Sequence, residues 1–364
     1  MECQIKRYPH IFGIQSIDYC CYIRQSKEGQ TILLVWVDNF LLISDQEKLN
    51  NWIETELNGH FEVKSLGQPS IIIGVKVHQE DHLIEISQTH YIDTLLKEYG
   101  LQDVNLVSTP MDPDTKLDAI EGEASEDSED QLLINNGHAN LIGSLMYLTI
   151  AARPDIAYLV NKLVQYTLAP KAKQWTAVKR VFRYLKGTRQ HKLTYRGSLE
   201  LLHDDINIYC DADWASDSDW KSISGYVIII AGGAVAWSSK KQNTVAPSTP
   251  EAEYITATHV AKQVLWHHSL LTELEFPLST PSIIFSDNQS AIAIAHHPEF
   301  HACTRHIDIA LHFLRDHMNK GTINMFYIKT DYNIADIFTK ALTQLVHQNF
   351  TYELGIIPVK GVLR

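Results

Sequence analysis

Asp211, Glu253, Asp287 and Asp336 constrain this 364-residue chain more than any other feature. Each stands where a carboxylate can be aimed rigidly. Asp211 falls inside INIYCDADW, an alternating stretch that predicts a strand. Glu253 follows STP in the first turns of a predicted helix, and Asp287 closes the apolar run SIIFSD. Asp336 lies early in NIADIFTKAL, which predicts a short helix. Such acids, 42, 34 and 49 residues apart, can converge at one edge of a sheet and hold two divalent cations against a phosphate. Taken singly, each has a plainer use: Asp287-Asn288 would cap a helix, and Glu253 would sit well in the field of a helix N-terminus. Four in strand–helix order favour a shared site. Asp213, two residues beyond Asp211 on the same strand face, is a competing ligand.

The rest of the pattern supplies the scaffold. Strands are predicted at 206–211, 224–230, 234–239, 282–287 and 323–328, with helices at 249–275, 289–297, 306–320 and 332–341. That order predicts a mixed α/β fold, a five-stranded mixed sheet with flanking helices, whose sites gather at strand carboxyl ends. Upstream, TILLVWVDNFLLIS predicts a hairpin with Asp38 and Asn39 at its tip. A helix follows at 47–59, and a second hairpin turns around QEDH. SQTHYIDTLLKEYGL reads as a helix capped by Ser87 and stopped by Gly100. Residues 138–187 read as helical, restarting at Pro154. Ser248 and Glu251 have capping-box spacing.

Composition excludes several classes. Five cysteines without CxxC spacing argue for a reducing compartment and against a disulfide framework or zinc site. The start lacks an apolar signal core, and no apolar run is long enough to span a bilayer, so an intracellular, non-membrane protein is expected. The net charge of −12 looks unsuited to nucleic acid until it is localised. Residues 112–130 carry nine acids and one lysine and read as part of a linker over 112–137. Residues 171–196 carry nine Lys and Arg and no acid. Lys179, Arg183 and Lys186 recur on one helix face, suited to a phosphate backbone, although an ordinary solvated face would look the same. Lys240 and Lys241, with Gln242 and Asn243, precede the Glu253 helix and could touch the same backbone. Of the 18 histidines, His267-His268 and His301, His306 and His312 lack ligand spacing, so structural roles are expected.

CDADWASDSDWKSISGYVIIIAGGAVAWSSKKQNTVAPSTPEAEYITA, SDNQSAIAIA and HIDIALHFLRDH together resemble the ribonuclease H domain of copia-type retrotransposon polyproteins. ISQTHYID, VSTPM, SLMYLTIAARPDIAYLVNKL and RVFRYLKGT are similar to that family's reverse transcriptase thumb and connection, and VWVDNFLLIS to its polymerase hairpin. The resemblance implies a ribonuclease H fold, RNA–DNA hybrid as substrate, and two Mg²⁺ ions, with Mn²⁺ as a substitute, held by Asp211, Glu253, Asp287 and Asp336. It implies five segments: partial palm and thumb at 1–111, the linker at 112–137, a helical connection at 138–199, a ribonuclease H domain at 200–345 and a tail at 346–364.

Departures from the family bear on activity. The hairpin has Asn39 where the family has a second aspartate, and Trp36 in place of a tyrosine. Trp175 stands where the family commonly has His. Asp18, the one aspartate before Asp38, matches no metal position of the family, and one carboxylate cannot hold a two-metal polymerase site. The expected activity is ribonuclease H without polymerase, alone or beside a complete reverse transcriptase chain. Two rivals remain: a non-catalytic nucleic-acid-binding relic, or an integrase-like enzyme acting on DNA.

Overall fold

A computed structural model describes residues 15–18, 20–115, 117, 129–168, 170–197, 206–215, 219–278, 281–296 and 305–358, with side chains at 15–18, 129–136 and 305–311 excepted. It divides into two compact units, 1–69 with 265–278, and 70–264 with 279–364.

The first unit holds an antiparallel sheet in sequence order, β1 (Gln15–Asp18), β2 (Cys21–Ser26), β3 (Gly29–Trp36) and β4 (Asn39–Ser44), followed by helix α1 (Glu47–His60). Alternation along β3 turns Leu33 and Val35 inward, where they pack with Tyr22 against Ile53 and Leu57 of α1. The hairpin tip differs from expectation. Trp36 pairs with Asn39, so the turn is Val37-Asp38 and Asn39 begins β4. A two-residue turn commonly needs positive φ, and Val37 adopts it at 53° despite its branched Cβ.

The second unit opens with β5 (Ile71–Ile72), β6 (Val75–Glu80) and β7 (Leu83–Ser87), then α2 (Thr89–Glu98). Ser87 ends β7 rather than capping α2; Gln88 takes the cap position without a side-chain bond. Gly100, at φ 63°, stops the helix as expected. Helices α3 (Glu129–Ala151), α4 (Ala157–Val164) and α5 (Ala172–Gly187) follow, with a 3-10 turn at Pro154–Ile156. Leu141, Leu145, Leu159, Leu163, Val181 and Phe182 bury a helical core. The expected linker at 112–137 is shortened from both sides. Leu117 is buried in this core, and α3 already begins at Glu129. Residues 118–128 lie outside the described residues.

One polar group is sunk into that core. Arg153, 2% exposed, pairs bidentately with Asp155 at 2.9 and 2.7 Å and donates to Thr188 Oγ1 at 2.7 Å. Tyr184 donates to the same Asp155 at 2.6 Å, and His347 Nε2 lies 3.1 Å from its carbonyl oxygen. The RPD break is thus an anchor as well as a helix start.

After β8 (Lys192–Arg196) comes the five-stranded sheet. Its strands are β9 (Ile206–Asp213), β10 (Ile223–Ile230), β11 (Gly233–Lys241), β12 (Ser282–Ser286) and β13 (Ile323–Tyr327), in spatial order β11-β10-β9-β12-β13. β10 is antiparallel to both neighbours, while β9, β12 and β13 are parallel. Helices α6 (Thr249–Glu273), α7 (Gln289–His296) and α8 (Arg305–Asn319) intervene in sequence. Ile208, Cys210 and Ile228 pack on Tyr254, Ala257 and Val264 of α6. On another cluster Val227 and Ile229 pack with Phe338, Leu354 and Ile356, joined by Ala152, Ala157 and Leu193.

The helix expected at 332–341 is instead two 3-10 turns, Thr330–Tyr332 and Ile334–Phe338. The second turn and Thr339 after it lie against Gly225 of β10, where an added Cβ would stand 2.6 Å from Thr339 Cγ2. Within the expected tail, α9 (Gln344–Glu353) leads to β14 (Ile356–Ile357), which pairs with β8. That closes a third sheet, β14-β8-β7-β6-β5.

Candidate metal centre

Sheet order brings the carboxylates together. β9 is central, with β12 beside it in parallel, so Asp211 near the end of β9 and Asp287 just past β12 meet at one edge. Glu253, in the first turns of α6, arrives over this edge. One carboxylate oxygen from each of Asp211, Glu253 and Asp287 lies within 4.8 Å of the others. Asp336 stands beside them on its 3-10 turn, close enough for Asp211 and Asp287 to raise its pKa. The cleft is open to solvent and edged by Thr249, Asn288, Gln289 and Tyr327.

The electrostatics are those of crowded, desolvated acids. Glu253 is 3% exposed, and burial, then Asp211 and Asp287, push its pKa well up. Burial and the Asp211 charge push Asp336 up to about 8. Burial and the same acids raise the Cys210 thiol. Glu253 Oε2 and Asp336 Oδ1 are buried and lack a hydrogen-bond partner, a costly condition for an anion. Four other oxygens are held. Thr330 donates to Asp287 Oδ2 at 2.7 Å, Asn333 to Asp287 Oδ1 at 3.3 Å, and Thr339 to Asp211 Oδ2. Lys340 Nζ lies 2.9 Å from Asp336 Oδ2 and 3.9 Å from Asp211 Oδ2. Burial opposes its charge, but Asp211 and Asp336 outweigh that and hold the ammonium above its ordinary pKa. Hard oxygen donors, crowded and partly unsatisfied, fit divalent cations such as Mg²⁺.

The sequence singled out Asp211, Glu253 and Asp287, which converge here, and Asp336 beside them, but not Thr330, Asn333, Thr339 and Lys340, which orient or neutralise them. Asn333 was the most legible: it caps the 3-10 turn through Ala335 N at 3.3 Å and donates to Cys210 O at 3.0 Å. Asp213 is outside the three-carboxylate group. Asp38 also joins no such group among the described residues.

The expected nucleic-acid contacts divide. Arg183 Nε donates to Asn105 O at 2.7 Å and Lys186 Nζ to Val104 O at 2.9 Å, while Lys179 lies over the Trp175 ring. Arg183 and Lys186 on the basic face of α5 therefore clamp the 104–105 segment. Trp175 itself is core. Lys240 is exposed, and Lys241 pairs with Asp219 at 2.9 Å. Gln242 is buried, bonded to Ser224 and Ala252 O, and so is withdrawn from any nucleic-acid surface. Ser248 bonds Glu251 at 3.2 Å. His267 is buried, His301 lies outside the described residues, and the His306 side chain is not described.

The strand order, with β10 antiparallel between β11 and β9 and the parallel β9-β12-β13 trio beyond it, defines a ribonuclease H-like fold, and the acids at its edge are compatible with divalent cations. Comparison with known proteins places it further. Residues 4–113 match the family model for reverse transcriptase (RNA-dependent DNA polymerase). The retrovirus-related Pol polyprotein from transposon RE2 of Arabidopsis thaliana is 33% identical over 95% of this chain, which spans 23% of that protein. An uncharacterized mitochondrial protein of Arabidopsis thaliana is 31% identical over 64% of this chain and 93% of its own length. A putative transposon Ty5-1 protein of Saccharomyces cerevisiae is 30% identical, over 67% of this chain and 77% of that one. A solved ribonuclease H domain from Mycobacterium tuberculosis matches at TM-score 0.28 and 11% identity, covering 40% of this chain and 96% of that one, too loosely to add to the strand order. The chain belongs to the copia-type retrotransposon Pol family. Among the described residues no helix is long and apolar enough to cross a membrane.

Proposed function

We propose that the chain hydrolyses the RNA strand of RNA–DNA hybrids at the Asp211–Glu253–Asp287–Asp336 edge. The observation that carries this reading is the convergence of three carboxylate oxygens within 4.8 Å, with the buried Glu253 Oε2 left unpartnered. Asp211, Glu253 and Asp287 would hold one divalent cation, and Asp211 with Asp336 a second. Bound Mg²⁺ or Mn²⁺ lowers the pKa of an attacking water and offsets charge on the departing 3′ oxygen. This chain's part is positional. Thr330 and Asn333 fix Asp287, Thr339 fixes Asp211, and the open cleft admits a backbone. Selection among nucleic acids would rest on hybrid shape and 2′-hydroxyl contacts rather than base edges. Lys240, and the α5 cations where their donors remain available, would add salt-sensitive phosphate attraction.

Polymerase activity by this chain alone is not part of the proposal, because Asp38 is followed by Asn39 and has no carboxylate cluster around it among the described residues. Partnership with a complete reverse transcriptase chain would supply that chemistry in trans. The test is cleavage of a labelled hybrid with Mg²⁺, with Mn²⁺ and with chelator, beside primer extension on a DNA-primed RNA template. Metal-dependent cleavage without extension is expected. Intact hybrid under every condition would leave the non-catalytic, nucleic-acid-binding reading.

A further inference from the structure

Lys340 is the one cation seen at the carboxylate edge among the described residues, and it sits where a second divalent ion would have to enter. Its ammonium bridges Asp336 Oδ2 at 2.9 Å and Asp211 Oδ2 at 3.9 Å. The two carboxylates are buried, at 6% and 7% side-chain exposure, whereas the lysine side chain is 39% exposed. The anions are fixed in the protein, while the cation reaches in from solvent on a flexible stem and can leave the same way. The other corner differs. Among the described residues, no lysine or arginine pairs with a carboxylate around Glu253, Asp287 and the far side of Asp211, and Glu253 Oε2 has no partner.

We infer that Lys340 is a resident counter-ion that must be displaced for the Asp211–Asp336 position to take a divalent cation, so the two cation positions fill in order. The inference rests on the proposed function, since it concerns the same four carboxylates. The position framed by Asp211, Glu253 and Asp287 has only repulsion to relieve and fills first. The position between Asp211 and Asp336 fills by exchange, because an ammonium and a divalent ion cannot share the same oxygens. Lys340 acts through the carboxylates and is a positioning residue. Its ion pairs also hold the 3-10 turn to β9 before any cation arrives.

The experiment counts ions on the full chain without nucleic acid. Mn²⁺ is titrated by calorimetry, and spin coupling between paired Mn²⁺ ions is followed by electron paramagnetic resonance. Wild type is compared with Lys340→Met and Lys340→Arg, and with Lys320→Met, which removes an exposed pair with Asp316 elsewhere. Lys340→Met is expected to take its second Mn²⁺ at a concentration about tenfold lower or less, as loss of one adjacent positive charge requires. First-site affinity should stay within about threefold, and Lys340→Arg and Lys320→Met should follow wild type. Hybrid cleavage by the wild-type chain separates the two ideas. An unchanged second affinity in Lys340→Met, with wild-type cleavage intact, overturns the exchange alone; absence of any Mn²⁺ binding overturns both. If Lys340→Met loses its cooperative melt, the judgement passes to Lys340→Gln, with the same expectation.

Discussion

Gly225 stands directly across the β9–β10 ladder from Asp211, and its missing side chain lets the carboxylate edge close. An added Cβ would meet Thr339 Cγ2 at 2.6 Å, Phe338 Cβ at 2.8 Å and Ala335 O at 3.1 Å. These atoms belong to the turn that carries Asp336 and the Thr339 hydroxyl to Asp211. Gly225→Ala is expected to cost about 1–3 kcal/mol by overpacking and to weaken Mn²⁺ binding as the turn lifts. Urea unfolding and a cation titration measure the two effects. An unshifted midpoint would mean the turn has slack.

Asp211→Asn and Asp287→Asn are expected to abolish hybrid cleavage while leaving the fold intact, since each keeps size and removes charge. Glu253→Gln should stabilise the cation-free chain, because burial and the neighbouring acids push the native carboxyl's pKa up. Thermal melts in chelator check the stability. Full cleavage by Asp287→Asn would refute the site.

Stability should fall at both ends of the pH range, for opposite reasons. His347 is buried and its pKa is lowered from 6.5 chiefly by desolvation. The unfolded chain then binds the proton more readily, so stability drops as pH falls below about 6.5. Asp336 is raised from 3.8 to about 8, so the folded chain holds its proton longer, and the cation-free protein loses stability as pH rises through that window. Asp336→Asn should flatten the alkaline limb, and His347→Gln the acid one. Urea midpoints from pH 5 to 9 decide it; an alkaline limb unaltered by Asp336→Asn would contradict the assignment.

Arg153→Met should be severe, about 3–5 kcal/mol, because it strands the Asp155 charge in the core. Arg153→Met with Asp155→Leu should recover much of the loss, since an apolar pair removes the stranded charge. A double mutant no better than the single one would show that Thr188 and Tyr184, not the charge, set the cost.

A chain cut to 198–364 is expected to aggregate. Val227, Phe338 and Leu354 are fully buried in the intact protein, partly under Ala152, Ala157 and Leu193. A soluble fragment with a cooperative melt would show that the sheet closes without them.

Much of the sheet was legible because strand periodicity and helix length are local properties. The four acids could be singled out because each sat at a predictable strand end or helix start. What escaped notice depends on distant approach. The 332–341 segment has a helical pattern, yet packing against Gly225 tightens it into 3-10 turns. Thr339 and Lys340 read as ordinary polar residues until that turn is laid on β9. The acidic stretch looked like linker throughout, but Leu117 is drawn into an apolar core and the apolar run after it extends helix back to Glu129. The helical spacing of Lys179, Arg183 and Lys186 was legible, but nothing local shows that Val104 and Asn105 would present carbonyls to two of them.

The sheet β14-β8-β7 is built from three stretches that lie far apart, at 83–87, 192–196 and 356–357. A crossover with a relative between any two of these stretches would join strands from different parents in one ladder. Such chimeras inherit a mismatched seam unless all three strands travel together. The span from the second hairpin to the final strand is therefore expected to tolerate exchange with a relative only as a whole.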